Sequence, residues 1–214
     1  VIIPHPPKRN QDIPGFNNQK HLSSLMDFAS SIPENSKVLE IGCAWGLSSW
    51  ALMDSLPKGC KLHVCDTFGM NGDQKQVHYN GVMVKNSKNP AIVYAMNLYM
   101  EKDHRTVYDY CASQHPRYFS IHKKTHQMQS VNLLKKDSEW DMAYLDGAHS
   151  YQNVKNELKY LNGTKYLCGD DYHPAHEGCK KAIDEFIKKN KYSFDHDSFE
   201  SGSGFWKMEK KNDL

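Results

Sequence analysis

The chain has 214 residues, enough for one sizeable α/β domain with its own core. Hydrophobic residues make up 39% and charged residues 24%, which argues against disorder. Lys plus Arg (27) nearly balance Asp plus Glu (25), and the formal charge of +2 gives no ground for a nucleic-acid partner.

No apolar stretch approaches the roughly 18–20 residues of a membrane span, and no secretory signal opens the sequence, so no membrane partner is expected. The cysteines at 43, 60, 65, 111, 168 and 179 form no CxxC pair. They read as buried free thiols of an intracellular, reducing, cytoplasmic protein rather than as disulfides or zinc ligands. The sequence starts at Val1 rather than Met, which fits a domain cut from a longer polypeptide.

Residues 1–20 are rich in Pro, Asn and Gln without helical period, and are expected to form an arm over the surface or over a ligand pocket. HLSSLMDFASSI (21–32) has the apolar spacing of an amphipathic helix, stopped by Pro33, so that 1–36 make an N-terminal arm and helix. From Lys37 strands and helices alternate: KVLEIGC (37–43), the helical LSSWALMDSL (47–56), and KLHVCDTF (61–68). Residues 69–117 interrupt this rhythm as a lid-like, partly helical insertion, where Tyr79, Tyr94, Tyr99 and Tyr108 either stack on a ligand or pack the lid. Strands are expected again at YFSIHKKT (118–125), DMAYLDGA (141–148) and TKYLCGDDY (164–172). The helices SYQNVKNELKYL (150–161) and GCKKAIDEFIKK (178–189) follow the last two. YSFDHDSF and GFWKMEK close as a hairpin on the sheet edge. The pattern predicts one Rossmann-like, doubly wound α/β domain over 1–214. Its mostly parallel seven-stranded sheet carries an antiparallel C-terminal hairpin strand.

The turn from Glu40 to Gly46 joins a predicted strand to a predicted helix. Small residues there let backbone approach a ligand at the helix N-terminus. The dinucleotide fingerprint G-x-G-x-x-G is absent. Asp66 ends the next strand, where a carboxylate can accept both ribose hydroxyls of an adenosine or merely cap the strand end. Asp146 and the Asp170–Asp171 pair end two further strands. They are either N-caps or a hard-oxygen set for Mg²⁺ or a similar ion. His149 could take a hydroxyl proton or only start a helix. His173 and His176 lie near the same strand end, and Trp45 is either a cofactor contact or core.

LEIGCAWG resembles the E-x-G-x-G-x-G motif of class I S-adenosylmethionine-dependent methyltransferases, with Ala44 in place of the middle glycine. The resemblance implies a cofactor loop opened by Glu40, with Gly42, Ala44 and Gly46 around the methionine half of S-adenosylmethionine. It also implies Asp66 on the ribose, and His126 and Gln127 near the adenine. LDGAHSYQNVKNEL followed by GDDY is similar to the macrocin and mycinamicin sugar O-methyltransferases, and more distantly to the catechol type. In that family the matching Asp146, Asp170 and Asp171 would hold a divalent cation chelating two substrate hydroxyls. His149 stands where the catechol type carries its lysine base, and Asp146 is the alternative base. The expected function is therefore O-methylation of a sugar, glycan or other vicinal diol, with Mg²⁺ assistance. Membership of a larger glycan-modifying polypeptide and a homo-oligomeric state are both compatible with the sequence. Two readings compete: a metal-dependent hydrolase using the same carboxylates with His149, His173 and His176, and a non-catalytic nucleotide-binding module.

Overall fold

The computed structural model describes residues 6–69, 78–79, 82–83 and 103–211. Its elements in chain order are α1 (Gln19–Ser30), β1 (Lys37–Ile41), α2 (Leu47–Ser55), β2 (Lys61–Asp66), β3 (His78–Tyr79), β4 (Val82–Met83), α3 (His104–Ser113), α4 (Tyr118–Ile121) and β5 (His122–Gln127), followed by α5 (Ser130–Leu134), β6 (Met142–Leu145), α6 (Tyr151–Tyr160), β7 (Tyr166–Gly169), α7 (Glu177–Lys189), β8 (Tyr192–His196) and β9 (Trp206–Lys210). Of the expected 69–117 insertion, the side chains described are those of Gly69 and of residues 103–117; Tyr94 and Tyr99 lie outside the described residues. Tyr108 is fully buried in the core.

Seven strands form one sheet in the order β5-β2-β1-β6-β7-β9-β8, and β3 and β4 pair separately. The pairs β1–β2, β2–β5, β1–β6 and β6–β7 are parallel. β9 runs antiparallel between β7 and β8. From β1 the chain goes to β2 and β5 on one side, then returns to β6 and β7 on the other. The gap beyond the carboxyl ends of β1 and β6 is thus a topological switch point, where open α/β sheets bind ligands.

Alternation along the strands divides the core. Val38, Met142, Tyr144, Tyr166 and Cys168 face α1, α2 and α3 through Leu25, Ala29, Leu52, Met53 and Tyr108. Leu39, Ile41, Ala143, Leu145 and Leu167 face α5, α6 and α7 through Leu134, Val154, Leu158, Ile183 and Phe186. Three helices start on side-chain caps that satisfy a first-turn N–H group: Asn18 for α1, Asp103 for α3 and Ser150 for α6. All six cysteines are buried and none is in a disulfide. No helix among the described residues is long and apolar enough to cross a membrane.

One segment differs from the sequence expectation. YFSI turns as helix α4, and the strand runs from His122 to Gln127. The Arg117 guanidinium causes this: it donates to the carbonyls of Met53, Asp54 and Leu56 at the end of α2. So anchored, the chain turns once to bury Ile121, leaving Phe119 89% exposed, before it reaches the sheet edge. The hairpin expected at the sheet edge is present: β8 and β9 pair antiparallel, with β8 outermost and β9 beside β7.

A third apolar cluster fixes the N-terminal arm. Ile13 packs with Leu22, Trp45, Leu47, Trp50, Val107 and Cys111, and Phe16 packs against the cluster. The Phe16 ring stacks on Trp45 with centroids 6.4 Å apart. A Cβ at Gly15 would lie 2.4 Å from Leu47 Cδ2, so only glycine lets the arm press on the start of α2. The arm therefore covers the glycine turn, and Trp45 is core.

Candidate active site at the carboxyl ends of β1, β2, β6 and β7

The turn after β1 is compact for a reason visible at Gly42. Its φ is +81°, and a Cβ there would lie 2.1 Å from the carbonyl oxygen of Asp146. Gly42 thus lets the β1 and β6 loops touch. Ala44 also adopts a left-handed φ of 47°, and Gly46, at φ 99°, opens α2 without a side-chain cap. Asp66 holds this turn from the next strand. Its Oδ2 accepts the Cys43 N–H at 2.8 Å and the Ala44 N–H at 3.0 Å, while Oδ1 accepts the Phe68 N–H at 2.7 Å.

Glu40 lies beneath the turn, fully buried. Its carboxyl accepts the Ser48 hydroxyl at 2.5 Å and the Ser49 hydroxyl. Burial pushes its pKa up to about 8, against the pull of the two serines, so the group is mainly protonated at neutral pH. Glu40 therefore braces the first turn of α2 from below.

The acidic crevice lies across from this turn. Asp146 Oδ2 accepts the Tyr144 hydroxyl at 2.8 Å and the Asn17 amide at 3.1 Å. The same Asn17 nitrogen reaches Asp170 Oδ2 at 3.2 Å. His21, wholly buried on α1, sets Nδ1 2.9 Å from the Ser203 carbonyl and 3.4 Å from Asp170 Oδ1, with Nε2 2.9 Å from the Tyr144 hydroxyl. Burial lowers the His21 pKa, but Asp170 and Asp146 outweigh it and raise the group to about 9. Asp170 is lowered: burial pushes it up, and His21 overcomes this. Asp146 is raised to about 7 by burial and by the neighbouring Asp170.

Asp171 turns away from this pair. Its backbone is left-handed, with φ 63°, and its Oδ2 pairs with His149 Nδ1 at 2.8 Å and His176 Nδ1 at 3.3 Å. The His149 side chain is 40% exposed. Burial lowers its pKa, but the hydrogen bond to Asp171 and the charge of Asp146 raise it to about 9.

The structure thus brings together Gly42, Ala44, Gly46 and Asp66 on one side, and Asp146, Asp170, Asp171 and His149 on the other. Gln127 stands beside Asp66 in the parallel register of β5 and β2. His126 instead stacks on His63, with centroids 5.7 Å apart. His173 turns its ring to Phe199. Sequence reasoning missed Asn17, His21 and Tyr144. The available signal was a histidine on the buried face of α1, one helical turn before Leu25.

The three aspartates do not form the chelating set expected of them. Among the described residues, no group of three or more His, Cys, Asp or Glu side chains could hold a metal ion. The left-handed backbone sends Asp171 to the histidines, and the Asn17 amide fills the space between Asp146 and Asp170. These residues, as placed, do not fit a divalent ion.

No protein-family model and no curated protein sequence matches the chain. Its fold does have solved counterparts. A Corynebacterium glutamicum protein superposes with TM-score 0.58 at 11% identity, covering 92% of this chain and 83% of its own. The O-methyltransferase TomG of tomaymycin synthesis from Streptomyces achromogenes, solved with S-adenosylmethionine, gives 0.53 at 12% identity over 89% and 79%. A Streptococcus mutans protein solved with S-adenosylhomocysteine gives 0.52 at 12% identity over 89% and 97%. The chain has the Rossmann-like fold that these methyltransferase structures share.

Proposed function

We propose that the chain is an S-adenosylmethionine-dependent O-methyltransferase acting on a hydroxyl of a sugar or other small molecule. The observation that carries this reading is the Asp66 carboxylate closing the Gly42–Gly46 turn at the switch point, opposite an acid–histidine crevice. The site residues fit the cofactor: Asp66 Oδ1 has taken one N–H and can accept again, as a ribose hydroxyl requires, and α2 presents an N-terminus without a side-chain cap. When bound, the cofactor supplies an electrophilic methyl on its sulfonium.

The remaining chemistry belongs to the chain. Asp146, raised to about 7, is poised near neutrality to accept the acceptor's hydroxyl proton. His149, raised to about 9, is a cation at that pH and places positive charge beside the reacting oxygen. The arm, held by Ile13 and the Phe16–Trp45 stack, excludes water from the turn.

Calorimetric titration with S-adenosylhomocysteine tests the cofactor half of this reading, with Asp66→Ala as control. Heat from the wild type that weakens in the variant supports it. A folded wild type giving no heat would sink it.

A further inference from the structure

The resemblance to metal-assisted methyltransferases leads one to expect a divalent ion among the three aspartates, yet something else occupies that place. Hydrogen-bond directions define it. His21 Nδ1 faces the Ser203 carbonyl and Asp170 Oδ1, both acceptors, so it carries hydrogen. Nε2 faces the Tyr144 hydroxyl, whose own hydrogen goes to Asp146 Oδ2, so Nε2 carries hydrogen as well. His21 is an imidazolium, fully buried 3.4 Å from one carboxylate and linked through Tyr144 to the other. The Asn17 amide has two hydrogens and spans the gap, at 3.1 Å from Asp146 Oδ2 and 3.2 Å from Asp170 Oδ2.

A bound divalent ion would neutralise the paired carboxylates and fix their spacing. Here one side chain does the first and another does the second. We propose that His21 and Asn17 are positioning residues that replace the divalent ion, so that Asp146 and Asp170 are held ready for the acceptor by the chain itself.

This inference rests on the O-methyltransferase reading and narrows its acceptor. A chelated ion selects substrates with two adjacent oxygens. His21 is buried and Asn17 has both hydrogens committed, so neither offers an open position for a second oxygen. The acceptor class is then a single hydroxyl, received between Asp146 and His149.

The test is a titration of the intact protein with MgCl₂ and, separately, MnCl₂, read by calorimetry and by Tm. S-adenosylhomocysteine binding is measured in parallel, so that failure of the cofactor reading is seen independently. The wild type is expected to give no ion heat and the same Tm with or without EDTA. Removing the internal cation in His21→Gln should create a metal site: its Tm should rise with millimolar Mg²⁺, and Asp170→Asn in the same background should abolish that rise. Asn17→Ala, which opens the gap while keeping the His21 cation, should show a weaker gain of the same kind and serves if His21→Gln does not fold. A merely structural role for His21 or Asn17 would lower Tm without creating ion dependence. Ion binding to the wild type that disappears in Asp170→Asn overturns the proposal, as does the absence of any ion response in both variants.

Discussion

Asp66 and Ala44 are bound across two strands: the carboxylate at the end of β2 accepts the N–H of an alanine held at φ 47° in the turn after β1. A charge-assisted bond to backbone typically contributes about 1.5–3 kcal/mol, and Asp66 makes three such bonds. Asp66→Ala should therefore lose at least about 2 kcal/mol in chemical denaturation as well as cofactor affinity. Ala44→Gly should have the opposite sign. Relief of the left-handed strain offsets the added chain entropy, for a gain of up to about 1 kcal/mol. A clear loss of stability in Ala44→Gly would show that the turn is not strained.

Glu40 gives a contrast between two substitutions. Because burial holds it mainly protonated at pH 7, Glu40→Gln keeps shape and neutrality and should change stability by less than about 1 kcal/mol. Glu40→Ala strands the Ser48 and Ser49 hydroxyls beside a cavity and should cost about 2–4 kcal/mol. Urea unfolding of both variants measures the difference; equal losses would mean that Glu40 is ionised.

The raised pKa values predict how stability varies with pH. Glu40 goes from 4.5 to about 8, His21 and His149 from 6.5 to about 9, and Asp146 from 3.8 to about 7. In each case the folded state holds the proton more tightly than the unfolded state. The stabilisation is complete below the unfolded value and is lost as pH rises through the folded one. His63, lowered to about 4, acts the other way, losing its contribution as pH falls from 6.5. Denaturation midpoints should thus decline from about pH 6 to pH 9, and His21→Gln should flatten the decline. A midpoint that rises over this range would contradict the assigned proton positions.

Turnover should follow a bell. The acidic limb is expected near pH 7, where Asp146 ionises, and the alkaline limb near pH 9, where His149 loses its proton. Asp171→Asn removes the main partner of His149 and should move the alkaline limb to lower pH with little change at pH 6. Asp146→Asn should reduce kcat by about 10²–10⁴. If the alkaline limb stays in place in Asp171→Asn, His149 is not the group responsible.

The strand ends were readable because their signals are local. The residues 40–46, 66, 146–149 and 169–171 announce themselves by a turn or an acid after a short apolar run, and the fold places them as that pattern implies. The helical turn at Tyr118 was hidden, because what bends it is Arg117 bonding to carbonyls about 60 residues earlier. The direction of Asp171 depends on a backbone angle that no residue type dictates. Asn17 and His21 gain their roles through partners more than 120 residues away, so local sequence marks His21 only as a histidine on an apolar helix face and does not mark Asn17.

The docking of α1 onto the β8–β9 loop has a consequence for how the protein is made. Ser24 donates to Asp197, Asn18 to the Gly202 carbonyl, and His21 meets the Ser203 carbonyl across 182 residues. On a ribosome the arm emerges long before its landing place exists. Ile13 and Phe16 can pack on α2 and α3 early, but Asn18 and Ser24 must wait for their partners until the β8–β9 loop arrives. The acidic crevice is thus completed only after the β8–β9 loop has been made, and closure of this long-range contact should be slow compared with the local packing of the arm.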